Sequence, residues 1–213
     1  MPTGRSDSTL VALVSVALAS ATARAAEHLA CRPGCSQCCV GIFPIAQQDA
    51  ARLREGLAEL QATDAARAAR IRARVAHSVA RLAPYFPGDL TSGVLDAAYE
   101  SSPLFCDEVL QETGESLGDS EPCPVLDPET GTCDLYQARP ITCRTFGPPM
   151  QTPGDDGEVN LATCELCFTH ATTEQIAACQ LDPTLPAQEA ASNEAFNAAN
   201  GVHGETLVAF ALR

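Results

Sequence analysis

Clustered cysteines are the feature that most constrains how this chain of 213 residues can fold. Nine of its 11 cysteines fall into three short groups. A C-x2-C step lets two thiolates turn toward one ion, so this spacing is typical of thiolate metal sites. Soft thiolates select zinc or iron–sulfur centres over calcium and magnesium. The candidate ligands are Cys31, Cys35, Cys38 and Cys39 in the first group, Cys123, Cys133 and Cys143 in the second, and Cys164 and Cys167 in the third.

Three interpretations of these thiols are open. Metal binding explains the tight spacing, and it adds stability to a chain with 46% hydrophobic but only 5% aromatic residues. Structural disulfides would require an exported protein, and 11 cysteines leave one unpaired. A redox-active pair needs a thiol of lowered pKa, and Glu165 beside Cys164 opposes this. We favour metal binding, and we interpret Cys106 and Cys179, which stand apart, as structural.

The segments around the cysteines are predicted to be helical. Apolar residues recur with helical spacing over 46–61 and again over 64–82, where Thr63 is the expected N-cap. Further helices are expected over 9–29, from a capping box at 172–175, and over 187–199. Residues 111–122 are polar and acidic and should form a loop. The predicted fold class is mainly α, an irregular helical domain stapled by a cysteine-rich metal site, with few or no short strands.

The N-terminus has two interpretations that bear on location. Residues 10–18 are apolar and are followed by small residues, as in a signal peptide, but they also fit an ordinary first helix. We favour the helix and a cytoplasmic protein, with export as the alternative. The apolar run is too short to cross a bilayer, so no membrane partner is expected. The predicted organisation is an N-terminal helix over 1–30, a cysteine-cluster domain over 31–180 with a helical insert at 46–82, and a C-terminal helical extension over 181–213.

Charge excludes one class of partner. The formal net charge is −14, with 27 acidic and 13 basic residues, so a polyphosphate would be repelled and no nucleic-acid partner is expected. Residues 47–82 hold seven arginines against four acidic residues. We interpret that local excess as a solvated helix face and not as a binding patch.

A compound pattern extends over residues 31–167. Residues 31–39 read CRPGCSQCC, 123–126 read CPVL, 131–136 read GTCDLY and 139–146 read RPITCRTF. In order and spacing this resembles the YkgJ-type CxxCxxCC cysteine-cluster family. The resemblance implies a mostly helical bacterial protein that chelates zinc or iron. The family pattern has eight cysteines and the three groups here hold nine, and Cys35 or Cys39 is the candidate for the supernumerary one.

Two arginines flank Cys143. Arg139 and Arg144 are the only Lys or Arg residues between positions 82 and 212. One divalent ion on four thiolates leaves a charge of about −2, and we expect these guanidinium groups to offset it from behind the ligands. Surface pairing with the acidic residues of 107–134 is the alternative.

The sequence therefore predicts a metal-binding protein that chelates zinc or iron through clustered thiolates. Two alternatives stay open: an iron–sulfur-dependent oxidoreductase or accessory to a protein-modifying enzyme, and a secreted disulfide-stapled protein. No catalytic residue can be assigned. Asp134, beside Cys133, is one candidate for a general base, and a turn-capping role is favoured for it. The sequence names no protein partner.

Overall fold

A computed structural model describes residues 5–105, 118–153 and 159–213. Over these residues the chain is mainly α-helical with short strands, which confirms the predicted fold class. The helices are α1 (Arg5–Ala25), α2 (Gln47–Thr63), α3 (Ala65–Leu82), α4 (Ile141–Thr145), α5 (Thr173–Ala178), α6 (Leu185–Asn200) and α7 (Val208–Ala211). The strands are β1 (Pro44–Ala46), β2 (Gly88–Asp89), β3 (Val94–Leu95), β4 (Leu126–Asp127), β5 (Thr132–Cys133), β6 (Met150–Pro153), β7 (Val159–Ala162) and β8 (Glu205–Leu207).

Helices α2 and α3 form a packed pair, as their apolar spacing predicts. The buried face of α3 carries Ala68, Ile71, Val75 and Leu82, which recur at helical intervals. The predicted cap at Thr63 is wrong. Asp64 caps α3 instead, because its side chain accepts a hydrogen bond from the Arg67 N–H at 2.9 Å.

The largest apolar cluster joins α2 and α3 to the end of the chain. Strand β1 pairs antiparallel with β8, with Pro44 opposite Leu207. Helix α7 follows directly, and its residues are buried. Periodicity alone does not decide whether residues 205–212 form a helix or a strand. The segment contains both, strand β8 first and then helix α7. Leu53 of α2, 0% exposed, packs in this cluster with Ile71 and Val208.

A second apolar cluster holds α1 against the body of the protein. Leu10, Val14 and Ala21 lie one or two turns apart on α1 and are buried with Ile141, with Leu181 and with the first residue of α6, Leu185. This helix covers most of the predicted range 9–29 but begins four residues earlier. The predicted capping box is confirmed at Thr172 and Gln175, and the predicted helix over 187–199 is α6, which ends at Gly201 in the left-handed conformation.

Among the described residues, one helix is long and apolar enough, by length and composition, to span a membrane. It covers Asp7–His28, has a mean hydropathy of 1.6 and is 22% buried. The argument that the apolar run is too short therefore does not hold for the helix as a whole. The core helix of a soluble protein and a signal sequence pass the same test, so the absence of a membrane partner stays a prediction.

The arginine excess of 47–82 is only partly a solvated face. Arg52 is buried and pairs with Asp7 of α1 and Asp49 of α2. Arg67 and Arg74 of α3 both pair with the buried carboxylate of Asp134. The prediction is therefore wrong for Arg52, whereas the side chains of Arg67 and Arg74, 37% and 24% exposed, are partly solvated although they are bonded to Asp134. Pairing partners up to 67 residues away in the chain could not be recognised from local charge.

Candidate metal centre

Four of the clustered cysteines meet at the C-terminal end of α1. Group A consists of Cys31, Cys35, Cys164 and Cys167. The thiols of Cys31 and Cys167 are hydrogen-bonded, and desolvation together with repulsion from Cys167, Cys164 and Cys35 raises the pKa of Cys31 to about 12. The pKa of Cys164 is raised by desolvation and by Cys167 and Cys35. The first and third cysteine groups of the sequence thus supply two thiols each to one place.

Local turns hold the group A thiols in position. The Cys35 N–H donates to the Arg32 carbonyl at 2.9 Å, and the Cys167 N–H donates to the Cys164 carbonyl at 2.8 Å. The Ala30 N–H donates to the Cys167 sulfur at 3.4 Å. Each C-x2–3-C step is therefore a tight turn, as the predicted chelating loop requires.

Two contacts of group A were not predicted. Gly147, with φ of +123°, packs against Cys31, and a Cβ there would lie 2.9 Å from the Cys31 Sγ. Phe168 takes a positive φ of 57°, donates its N–H to the His28 carbonyl at 2.8 Å and stacks on the His28 ring. Non-glycine residues rarely adopt this conformation, and such residues concentrate at functional sites.

A second set of four cysteines meets where α4 and the β4–β5 hairpin approach residues 37–39. Group B consists of Cys38, Cys123, Cys133 and Cys143. Burial first, and then the neighbouring thiols of Cys133 and Cys38, raise the pKa of Cys123 to about 12. The pKa of Cys143 is raised by burial and then by the same three thiols, Cys123, Cys133 and Cys38. The second cysteine group of the sequence is thus completed by a member of the first.

The remaining cysteines lie outside these two sets of four. The Cys39 thiol is hydrogen-bonded to that of Cys38, which raises the pKa of Cys38. The Cys39 carbonyl accepts from the Cys123 N–H at 2.8 Å. Of the two residues suspected to be supernumerary, Cys39 is the one outside both groups. Cys179 is buried in an apolar cluster that borders group A, and Cys106 lies outside the described residues.

The two arginines that flank Cys143 act differently on the group B thiols. Among the described residues, Arg139 lowers the pKa of both Cys38 and Cys133. Arg144 instead donates to backbone carbonyls, through Nε to Arg139 at 3.1 Å and through a terminal nitrogen to Gln137. Arg139 thus acts electrostatically on group B, whereas Arg144 holds the loop that carries Arg139.

Asp134 does not play either predicted role. Its carboxylate is buried and is bonded by Arg67 and Arg74, so it is neither a turn cap nor a free general base. Arg67 donates to one of its oxygens and Arg74 to the other, so both are already engaged. Its position fixes the β4–β5 hairpin, which carries Cys133, against α3.

The thiols of each group are near one another but are not arranged around one point. Within residues 5–105, 118–153 and 159–213, no three His, Cys, Asp or Glu side chains form a ready-made metal site. Neutral thiols have no charge to draw them around one point, and some share hydrogen bonds in pairs, as Cys31 does with Cys167 and Cys38 with Cys39. The fit to a metal therefore rests on the donor set, four sulfurs in each group.

The fold and the site together define a helical protein in which distant cysteines are gathered as soft donors, the class of thiolate metal chelators. A sequence model of the CxxCxxCC family, described as "Putative zinc- or iron-chelating domain", matches residues 30–167. The chain belongs to this family. No curated protein and no solved structure matches the chain.

Proposed function

We propose that this protein binds two metal ions, zinc or iron, through two separate sets of four cysteine thiolates. Cys31, Cys35, Cys164 and Cys167 would hold one ion, and Cys38, Cys123, Cys133 and Cys143 the other. The observation that carries the proposal is the sorting of eight clustered cysteines into two groups of four. Neighbouring thiols raise the pKa of Cys31 and Cys164 in group A and of Cys123 and Cys143 in group B. Four sulfurs complete the coordination of zinc and are the usual ligand number of an iron–sulfur cluster.

The chemistry of the two groups supports a bound cation. Burial and mutual repulsion disfavour thiolates in each group, and a metal ion reverses that balance because it stabilises the deprotonated ligand. Four thiolates on one divalent ion still leave a charge of about −2, which Arg139 offsets in group B. Metal binding of this kind needs reduced thiols, so we place the protein in a reducing compartment such as the cytoplasm.

The position of the groups supports a structural role for the metal. Cys164 and Cys167 lie in a small apolar cluster with Ala25, at the end of α1. Cys123 and Cys133 pack against the largest apolar cluster. Each group therefore joins chain segments more than 80 residues apart in the sequence. Ion binding at such joints adds directly to the free energy of folding.

Metal analysis of protein purified without oxygen tests the proposal. We expect about two ions per chain in the native protein, and about one in Cys167→Ser and in Cys133→Ser, because each removes a ligand from one group only. Cys179→Ala is the matched control, since this buried thiol borders group A without joining it. Cys39→Ala should also keep both ions.

Other results would contradict parts of the proposal. A metal-free protein that stays folded, with all its cysteines free, would contradict metal binding altogether. A content that falls in Cys39→Ala and not in Cys133→Ser would contradict the assignment of ligands. Broad visible absorption with acid-labile sulfide would replace the single ions by iron–sulfur clusters held by the same thiols.

A further inference from the structure

An open cleft lies between α1 and the loop that leads into α4. Its volume is about 550 Å³, within the range of small-molecule sites. The α1 wall presents Leu18, Ala19 and Ala23, which are small or apolar. The opposite wall presents Tyr136, Arg139 and Arg144. The cleft therefore combines an apolar side with a side that carries two positive charges.

These two guanidinium groups differ from the other arginines of the core. Arg52, Arg67 and Arg74 each bind a buried carboxylate, whereas no salt bridge forms at Arg139 or Arg144 within the described residues. Arg139 donates to the Tyr136 carbonyl at 2.8 Å and lies 3.8 Å from the centre of the Tyr136 ring. Each guanidinium has five N–H donors, so most of those on Arg139 are left without a partner in the described protein.

Burial makes this absence of a counter-charge significant. Arg144 is 6% exposed, and its Nε and one terminal nitrogen donate to the backbone carbonyls of Arg139 and Gln137. The carboxylates of Asp7 and Asp49 are bonded to Arg52 and form no salt bridge with Arg144. Two neighbouring cations of this kind are normally neutralised, and the open side from which an anion can approach is the cleft.

We infer that this cleft binds a small organic carboxylate with an apolar or aromatic body. The planar fork of a guanidinium matches the two oxygens of a carboxylate. The Tyr136 ring and the alanines of α1 offer an apolar surface beside that charge, which an inorganic anion would leave uncovered. In a protein of net charge −14, anions are repelled in general, so binding requires a local site of this kind. Arg139 also lies near the group B thiols, so the inference rests on the cleft and both of its arginines and not on the charge of Arg139 alone.

Calorimetric titration of the purified full-length protein, with its metal content measured, tests the inference. The probes are benzoate, the neutral isostere benzamide, acetate and inorganic phosphate. Benzoate should bind about tenfold or more tightly than benzamide, because only the carboxylate pairs with the arginines. It should also bind more tightly than acetate or phosphate, which lack the apolar body.

Two variants on opposite walls and one control locate the site. Arg139→Gln should weaken benzoate binding about tenfold. Ala19→Leu should also weaken benzoate binding, because the larger side chain fills the cleft. This variant keeps both arginines, so it tests the site even if Arg139→Gln disturbs the loop. Arg70→Gln, an exposed arginine on α3, should change nothing. Equal binding of benzamide and benzoate, a preference for phosphate, or binding that survives Ala19→Leu would each overturn the inference.

Discussion

Replacing Arg52 should destabilise the protein more than any other single arginine substitution. The Arg52 side chain is 8% exposed and bonds Asp7 and Asp49, which are 5% and 3% exposed. It therefore links α1 to α2, and Asp49 extends the link to α4 by accepting from the Ile141 N–H at 3.2 Å. In Arg52→Met the apolar stem is kept and only the charge and donors are lost.

The expected loss of stability in Arg52→Met comes from the two buried carboxylates that are left without a partner. Removing one partner of a buried ion pair costs about 3–5 kcal/mol, because the other charge stays buried without a partner. For a protein of this size each kcal/mol lowers the melting temperature by about 2–4 °C, so a fall of about 6–20 °C is expected. Thermal melts and urea unfolding with the same metal content measure it. Arg70→Met, on the exposed face of α3, should change the free energy of unfolding by less than about 0.5 kcal/mol.

The effect of Arg52→Met should also depend on pH. Burial raises the pKa of Asp49, and Arg52 opposes that rise. Without Arg52 the pKa of Asp49 in the folded protein rises further above its unfolded value, so the folded state binds the proton more tightly. Stability is then greatest below the unfolded pKa and is lost as pH rises through the folded one. Arg52→Met should therefore be closest to the native protein in acid.

A triple variant separates charge from packing. Asp7→Asn and Asp49→Asn, added to Arg52→Met, remove the two carboxylates that would otherwise be left unpaired. The triple variant should thus be more stable near neutral pH than Arg52→Met alone. The reasoning is refuted if Arg52→Met costs no more than Arg70→Met, or if the triple variant is the less stable of the two.

Three further predictions concern other parts of the molecule. Gly147→Ala should lower the metal content by about one ion per chain, because the new Cβ would lie 2.9 Å from the Cys31 sulfur at a φ of +123°; unchanged content would contradict the role of Gly147. Leu53→Ala, at a position 0% exposed, should lower the free energy of unfolding by about 2–5 kcal/mol in urea titrations, and a loss below about 1 kcal/mol would show that the site collapses fully. Desolvation, reinforced by Asp49, raises the pKa of Glu189 to about 7. The free energy of unfolding should therefore fall as the pH rises from the pKa of Glu189 in the unfolded chain through 7. Glu189→Gln should remove that part of the pH profile.

Much of the helical architecture can be predicted from local sequence. The buried stripe of α3 and the capping box of α5 depend only on residues within one or two turns, so pattern alone finds them. The two-residue strands β2–β5 are too short to show any alternation. They form because tertiary contacts bring their partners together, and local sequence carries no sign of this.

The candidate site shows the same division. The spacing of the cysteines predicts which residues could be ligands, and it suggests three groups. In space there are two sets, because one turn ends at Cys35, which lies near Cys164, and a second turn over residues 36–39 carries Cys38 near Cys123. Which thiols share a set depends on long-range packing. The same holds for Asp134, whose arginine partners lie 60 and 67 residues away.

The pairing of β1 with β8 has a consequence for biosynthesis. Pro44 faces Leu207, so about 160 residues must leave the ribosome after β1 before its partner strand exists. At roughly 5–20 residues per second this takes about 8–30 s. During that interval Ile45 and Leu53 are not yet packed against Val208. The nascent chain therefore exposes apolar side chains and oxidisable thiols at the same time. Aggregation and oxidation of the thiols are therefore most favoured for this chain while translation is still under way.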